Sequence, residues 1–420
     1  MSLKVLALLL LAAGAAASAP DDLDAVRDRV AARVEDLRGL RFRATVPIHA
    51  ASDSVMQVQM RGQMRRFYPV EALQDEAAAS VQLGLWPADR DLLATMESVL
   101  DEQVAGYYDT ELDAFFVAGR FSADMLPIIM AHELTHALDD QHHPIDSMLA
   151  GILADNDRVT ALAGVVEGSG MLVMLRYLME EVRAGRLTGE TLAEFNQAEM
   201  KRSARLLDAP PLLQRDLLAP YILGMMFLMR GEPARLLTGI DASVIDSVFV
   251  RLPQSSEQLL HPEKYWDEAQ RDLPTTLPDP DLARQLGKHW RKRAHGTLGE
   301  LRLAQLVGAT TPALETEALN DPSAWTHPAA EGWDGDRWQL YANGAETATV
   351  LATTWDTEAD AEEFAAVIAA GPIASPVDST RAKPSQWSVE RRGAVVVIVA
   401  GLDGKRAASL ALAAHAAIAP

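Results

Sequence analysis

Cysteine is absent from this chain of 420 residues, and basic residues and long apolar runs are scarce. Without cysteine the protein has no disulfides, no cysteine-linked lipid anchor and no thiolate-bound metal. The chain has only 38 lysine and arginine residues but 59 aspartate and glutamate residues, which gives a net charge of −21. Such a charge repels phosphates, so nucleic acid is not an expected partner. The apolar runs at 5–11 and 221–229 are too short to span a bilayer, and we expect no stable membrane insertion of the mature chain.

The first nineteen residues have the layout of a secretory signal. Lys4 precedes an apolar run, and small residues follow at Ala15, Ala17 and Ala19. This order of charge, apolar core and small residues is typical of a cleaved signal peptide. We therefore assign residues 1–19 as a signal and expect an exported protein, periplasmic or extracellular. The roughly 400 residues that remain are enough for two domains.

A single short motif indicates specific chemistry. His132, Glu133 and His136 form an H-E-x-x-H pattern within residues 128–138, where apolar positions recur at helical spacing. Residues four apart share one face of a helix, so both imidazoles should point to one place with Glu133 beside them. Two imidazoles, a third protein ligand and an open position make a catalytic zinc site. Glu133 is then expected to act as general base on a water molecule.

Glu167 is the first candidate for the third ligand. It lies on a predicted helix at 159–183 that begins near Asp155 or Asn156. Gly164 and Gly168, one turn apart, weaken this helix but leave a smooth face beside Glu167. We expect that face to let the helix approach the metal helix closely.

Other positions remain open as the third ligand. His142 follows His136 at the interval seen in metzincins, but Asp139 stands where those proteins use glycine to turn the chain. A helix that continues to Gln141 would point His142 away from the metal. Asp139 and Asp140 are further alternatives.

Several segments resemble known proteins. The H-E-x-x-H motif with a helical Glu167 resembles the gluzincin branch of zinc metallopeptidases. The longer run 132–142, together with residues 165–168, 106–109, 220–224 and 255–265, is similar to a family of exported bacterial predicted metallopeptidases. The resemblance implies one zinc ion held by His132, His136 and Glu167, with Glu133 as catalytic base.

Two positions depart from the patterns of those proteins. Asp139 stands where glutamine is usual, and Met171 occupies the place where thermolysin-like enzymes keep an aspartate that orients a zinc-bound histidine. Such partners fix the imidazole tautomer, so Asp140 is our candidate for the missing partner of His132.

A hydrolase of this kind also needs a donor for the developing oxyanion. Tyr221 and His261 are the candidates that we carry forward, and Tyr265 is a third.

The predicted fold class is α+β. A mostly helical, zincin-like catalytic domain at 20–270 contains the H-E-x-x-H helix, the Glu167 helix and a small antiparallel sheet. Helices are expected at 21–37, 65–83 and 88–104, a strand at 40–48 and a hairpin at 106–117. The edge of that hairpin is a candidate surface for an extended substrate.

The C-terminal third shows an internal repeat. Trp338 and Trp387 are each followed six residues later by glycine, then by an apolar strand and a helix. We predict a connector at 271–296 and a domain at 297–420 of two ββα units, with both helices on one face of an antiparallel sheet.

Together these features predict an exported zinc metallopeptidase that acts on a peptide or protein substrate. The alternative is a non-catalytic envelope or binding protein with a zinc-stabilised fold. The presence of Glu133 favours the enzyme, because structural zinc sites are usually closed by a fourth protein ligand.

Overall fold

A computed structural model of the chain describes residues 22–67, 69–103, 106–118, 124–239, 241–312, 317–371 and 387–418. The architecture is α+β, with 57% helix and two small sheets. The predicted fold class is confirmed at this level. The predicted signal sequence at 1–19 lies outside the described residues.

The N-terminal part is mostly helical. Its helices are α1 (Leu23–Arg38), α2 (Asp53–Phe67), α3 (Val70–Gln82), α4 (Leu92–Gln103), α5 (Leu126–His142), α6 (Ile145–Ala150) and α7 (Asn156–Arg183). The predicted helix at 65–83 is wrong in its bounds, because Pro69 separates α2 from α3. Proline cannot donate the backbone hydrogen bond that would join the two helices.

Further helices continue the chain after α7. They are α8 (Gly189–Arg202), α9 (Ala204–Asp208), α10 (Pro211–Leu228), α11 (Arg235–Thr238), α12 (Ala242–Val250), α13 (Glu257–Leu260), α14 (Glu263–Trp266) and α15 (Ala283–Leu286). All but three residues of α10 are buried, so the apolar run at 221–229 belongs to the core.

Helix α7 is the central element. Among the described helices it is long and apolar enough to cross a membrane, yet 78% of its most apolar window is buried inside the protein. It packs on α5 along one side and on α10 along another. A helix that is apolar on nearly every side is suited to such an interior position.

A three-stranded sheet lies beside α5. Its strands are β1 (Ile48–Ala51), β2 (Gly106–Asp109) and β3 (Ala114–Ala118), in the order β1-β3-β2. The hairpin prediction is confirmed, but the sheet is mixed, since β1 runs parallel to β3.

The predicted strand at 40–48 is wrong, because it overlaps β1 only at Ile48. The Phe42 backbone N–H donates to the Glu35 carboxylate, and those of Arg43 and Ala44 donate to the Gln141 side chain. These side chains replace the neighbouring strand that the alternating pattern suggested.

The C-terminal part is built on a five-stranded antiparallel sheet. Its strands are β4 (Arg291–Gly296), β5 (Trp333–Asn343), β6 (Glu346–Trp355), β7 (Ser388–Arg392) and β8 (Val395–Ala400), in the order β4-β5-β6-β8-β7. The helices are α16 (Gly299–Leu306), α17 (Glu358–Ala370) and α18 (Gly404–Ile418). Both predicted ββα units are present.

The two repeat helices lie on opposite faces of the sheet, so the prediction of a shared face is wrong. Phe364 of α17 shares one apolar cluster with Val396 and Ile398, whereas Leu410 of α18 shares another with Val397. Successive residues of a strand point to opposite faces. Strand β8 is apolar at every position, which requires cover on both sides.

The first part of the predicted domain at 297–420 packs into the N-terminal part. Arg302 of α16 is buried and pairs with Asp216 of α10 at 2.7 Å and with Glu76 of α3 at 3.0 Å. Buried Arg215 donates to the carbonyl oxygen of Trp325. Strand β4 falls inside the predicted connector, and the domain boundaries at 270 and 297 stay predictions.

Glycines bring α7 and α10 into backbone contact. A Cβ on Gly224 would overlap the carbonyl group of Gly164, and a Cβ on Gly168 would lie 2.5 Å from the Gly224 carbonyl carbon. Gly164 and Gly168 therefore face α10 and not the metal helix, which corrects the prediction. Two glycines four residues apart in a helix indicate that another element approaches the helix closely, but they do not identify that element.

We expect Gly224→Ala to destabilise the protein by about 1–3 kcal/mol or more, because backbone atoms cannot move aside as a side chain can. Chemical denaturation measures the change in the free energy of unfolding. Gly62→Ala in α2 is the matched control, since a Cβ added at Gly62 would have nothing within 4 Å. The control should be neutral or stabilising by roughly 0.5–1 kcal/mol. Equal stability of Gly224→Ala and wild type would contradict the close packing.

Candidate metal centre

Helix α5 carries the H-E-x-x-H motif as predicted. It runs without a break from Leu126 to His142, and the residues around the motif are buried. Because the helix continues through Asp139, His142 points elsewhere, and its Nε2 lies 2.8 Å from the Arg41 carbonyl oxygen. The metzincin-like alternative with His142 as third ligand is therefore wrong.

Helix α7 supplies the carboxylate. It begins after Asp155, whose side chain accepts the Arg158 backbone N–H, as predicted for an N-cap. Glu167 lies on the fourth turn and is completely buried. The contact between α5 and α7 brings this side chain to the two histidines.

Three donor atoms converge on one point. His132 Nε2 and His136 Nε2 are 2.9 Å apart, and Glu167 Oε2 lies 3.2 Å from the first and 3.4 Å from the second. Two ligands at 2.0–2.1 Å from one tetrahedral ion are about 3.3 Å apart. The three separations therefore fit a shared metal ion, and these residues form one of two groups of potential ligands among the described residues.

The site is closed to solvent. His132, Glu133 and Glu167 are 0% exposed and His136 is 4% exposed. Within the described part of the chain, Nδ1 of both rings and Oε1 of both glutamates have no hydrogen-bond partner. Buried polar atoms without partners are costly, and a bound cation with its water would satisfy several of them.

Gly170 is the glycine that faces the histidines. A Cβ at this position would lie 2.7 Å from His132 Cε1, 2.8 Å from His132 Nδ1 and 3.0 Å from His136 Cε1. The absence of a side chain lets both imidazoles rest against the backbone of α7. Its role was missed from the sequence, where it was only one of three glycines near Glu167.

Glu133 is held in place by strand β2. The backbone N–H of Tyr108 in β2 donates to Glu133 Oε2 at 2.9 Å. Strand β2 is an edge strand, as the substrate-strand hypothesis requires, but all four of its residues are buried. Helix α5 packs on this strand, so that edge does not lie open to an extended peptide.

Burial and neighbouring charges shift the pKa values of the side chains in the site. Burial raises the pKa of Glu133 to about 8. Burial and the nearby His136 lower the pKa of His132. Burial alone would raise the pKa of Glu167, but the two histidines hold it below its usual value. For His136, burial is outweighed by Glu167, and the pKa rises to about 9.

Asp139 has a structural partner that the sequence did not reveal. Its carboxylate pairs with Arg38 of α1 at 2.8 Å and accepts the hydroxyl of Ser169 in α7 at 2.6 Å. All three side chains are buried. This bridge fixes α1, α5 and α7 together one turn from the ligands, so Asp139 is not a third ligand.

Asp140 is not the hydrogen-bond partner of the His132 ring. Its Oδ2 lies 3.3 Å from the Tyr108 hydroxyl, whereas His132 Nδ1 is without a partner among the described residues. The helix face that carries Asp140 is turned toward β2, so the prediction that Asp140 orients the His132 ring is wrong.

The three predicted oxyanion donors have different surroundings in the structure. The ring of Tyr221 is stacked on that of His132, with centroids 6.0 Å apart. His261 instead binds Glu300 of α16 at 3.0 Å, and Tyr265 donates its hydroxyl to the Arg251 carbonyl oxygen. Only Tyr221 lies beside the ligands, so His261 and Tyr265 are better described as structural.

Comparison with known proteins identifies a domain of unknown function, DUF8575, at residues 284–411. This match covers less than a third of the chain, from just before β4 into α18, and does not include the histidine motif. A search of curated proteins and a search of solved structures each found no match.

We expect Gly170→Ala to weaken metal binding by about 10- to 100-fold, because the added methyl group displaces both imidazoles. Competition with a zinc-binding dye measures the affinity. Gly189→Ala at the start of α8 has open space around it and should leave the affinity unchanged. An unaltered affinity in Gly170→Ala would show that the metal, if bound, does not use these rings.

Proposed function

We propose that the protein is a zinc-dependent metallopeptidase with a zincin-like catalytic domain. The observation that supports this most directly is the convergence of His132, His136 and Glu167 within 3.4 Å of one another, with Glu133 adjacent in sequence. Two imidazoles and one carboxylate are the ligand set of gluzincin-type peptidases.

Each residue has a definite task in this proposal. His132, His136 and Glu167 would hold a zinc ion, which would acidify a water molecule and polarise a carbonyl group. Glu133 accepts the proton of that water and passes it to the leaving amine. The Tyr108 backbone N–H fixes one oxygen of Glu133, while the other oxygen has no partner among the described residues.

Tyr221 is the proposed stabiliser of the oxyanion. Its ring lies against His132 and is completely buried, so its hydroxyl acts in an environment of low dielectric constant. Hydrogen bonds to developing charge are strongest in such surroundings.

The substrate class that we propose is a peptide or protein outside the cytoplasm. The signal-like residues 1–19 support export, and the net charge of −21 disfavours nucleic acid.

A second function is favoured by the burial of the site. The four residues are at most 4% exposed, so a peptide reaches Glu133 only after the surrounding elements move. A metal ion in such a place also stabilises a non-catalytic envelope or binding protein. The two functions differ in the role that they give to Glu133.

We expect Glu133→Gln to retain zinc and to lose about 10²- to 10⁴-fold in peptide hydrolysis, because only the proton acceptor is removed. Metal content is measured by elemental analysis, and hydrolysis by digestion of casein or of a peptide library.

His136→Ala and His142→Ala are matched variants on the same helix. The first should lose zinc and activity, whereas the second should retain both. Loss of zinc in Glu133→Gln would contradict its role as base. Zinc-loaded wild type that hydrolyses no peptide would favour the non-catalytic function.

A further inference from the structure

A cavity of about 440 Å³ lies away from the metal ligands, where the N-terminal end of α7, the segment after α14 and strand β5 meet. Its volume is in the usual range for small-molecule sites. The cavity includes Asp157, ten residues before Glu167 in α7, which places it about 15 Å along the helix from the metal ligand. It does not contain any of the proposed metal ligands.

Four arginines line this cavity in a protein with an excess of acidic residues. Arg251 and Arg271 both pair with Glu268, at 3.1 and 3.5 Å. The guanidinium groups of Arg158 and Arg337 have no hydrogen-bond or ion-pair partner among the described residues, and Nε of Arg337 is buried. Arg158 and Arg337 therefore face the cavity without a salt bridge to a described acidic residue.

The charge of Arg337 acts on Asp336, but the acidic residues of the cavity direct their oxygens mainly to backbone N–H groups. Asp155 caps α7, and both oxygens of Asp336 accept backbone N–H groups, those of Leu298 and Gly299. Asp157 accepts the backbone N–H of Ser256, and burial raises its pKa to about 8, so it is mostly neutral at pH 7.

One part of the remaining wall is apolar and aromatic, beside glutamine and threonine side chains. Leu252, Leu277, Tyr265 and the buried Trp333 contribute to it. Such a wall favours an organic group over a small hydrated anion. A guanidinium presents paired N–H donors that match the two oxygens of a carboxylate.

We propose that this arginine cavity binds an organic carboxylate, with Arg158 and Arg337 contacting the carboxylate and the apolar wall contacting its hydrocarbon part. The site is separate from the metal centre and does not depend on the proposed peptidase activity. The carboxylate belongs either to the C-terminus of a peptide or to a small organic acid.

Isothermal titration calorimetry on the full chain tests this assignment. The probes are N-acetyl-leucyl-leucine, its C-terminal amide, 4-methylpentanoate and inorganic phosphate. N-acetyl-leucyl-leucine should bind at least about tenfold more tightly than the amide, because a charge-assisted hydrogen bond is lost in the amide. Tighter binding than that of 4-methylpentanoate identifies a peptide terminus, and equal binding identifies a small organic acid.

Arg158→Gln and Arg337→Gln should each weaken carboxylate binding by about tenfold or more. Arg183→Gln, an exposed arginine at the other end of α7, is the matched control and should bind as wild type does. Carboxylate binding that is absent, equal to that of the amide, or unchanged in both cavity variants would overturn the proposal. Binding of phosphate alone would also overturn it.

Hydrogen exchange on wild-type protein provides a second measurement that needs no variant. N-acetyl-leucyl-leucine at saturation should slow amide exchange in residues 155–158 and 333–337. Unchanged exchange in both segments would overturn the proposal even if a variant were too unstable to study.

Discussion

The candidate metal centre depends on the cost of burying polar groups. Glu167, His132 and Glu133 are withdrawn completely from water in the interior of a helical domain. An ionised carboxylate in such a place costs several kcal/mol unless it is paired or bound to a cation. The geometry supplies that compensation by directing two imidazole nitrogens and one carboxylate oxygen to the same point. We therefore propose that the zinc ion also stabilises the core.

The surrounding elements make this convergence possible. Gly170 lets the two imidazoles rest against α7, and Gly168 and Gly224 let α10 approach the same helix on another side. The buried bridge from Arg38 through Asp139 to Ser169 fixes α5 relative to α7. A small change in the position of α7 would separate Glu167 from the histidines, so these contacts position the three candidate ligands relative to one another.

The parts of the fold that depend on local pattern were predictable from the sequence. Helical periodicity identified α5 and α7, and the N-cap at Asp155 was placed to within a residue. The close approach implied by Gly164 and Gly168 was also real, but its partner was α10, because periodicity does not specify which neighbour a helix face meets. Asp140 and His261 failed for the same reason, since their partners Tyr108 and Glu300 are distant in sequence.

Strand prediction from the sequence has the same limit, because a strand forms only where a neighbouring strand pairs with it. Residues 42–44 alternate as a strand would, yet their N–H groups bind the side chains of Glu35 and Gln141. Strand β8 is apolar at every position, which indicates that both of its faces are covered. The repeat of two ββα units instead suggested that both helices lie on one face, and that prediction was wrong.

The central claim is that one zinc ion lies between His132, His136 and Glu167, and X-ray absorption spectroscopy at the zinc edge of purified protein tests it most directly. The account predicts two imidazole ligands and oxygen ligands at about 2.0–2.1 Å, with no sulfur ligand. A zinc environment without imidazole, or protein that retains no zinc after purification in its presence, would contradict the account.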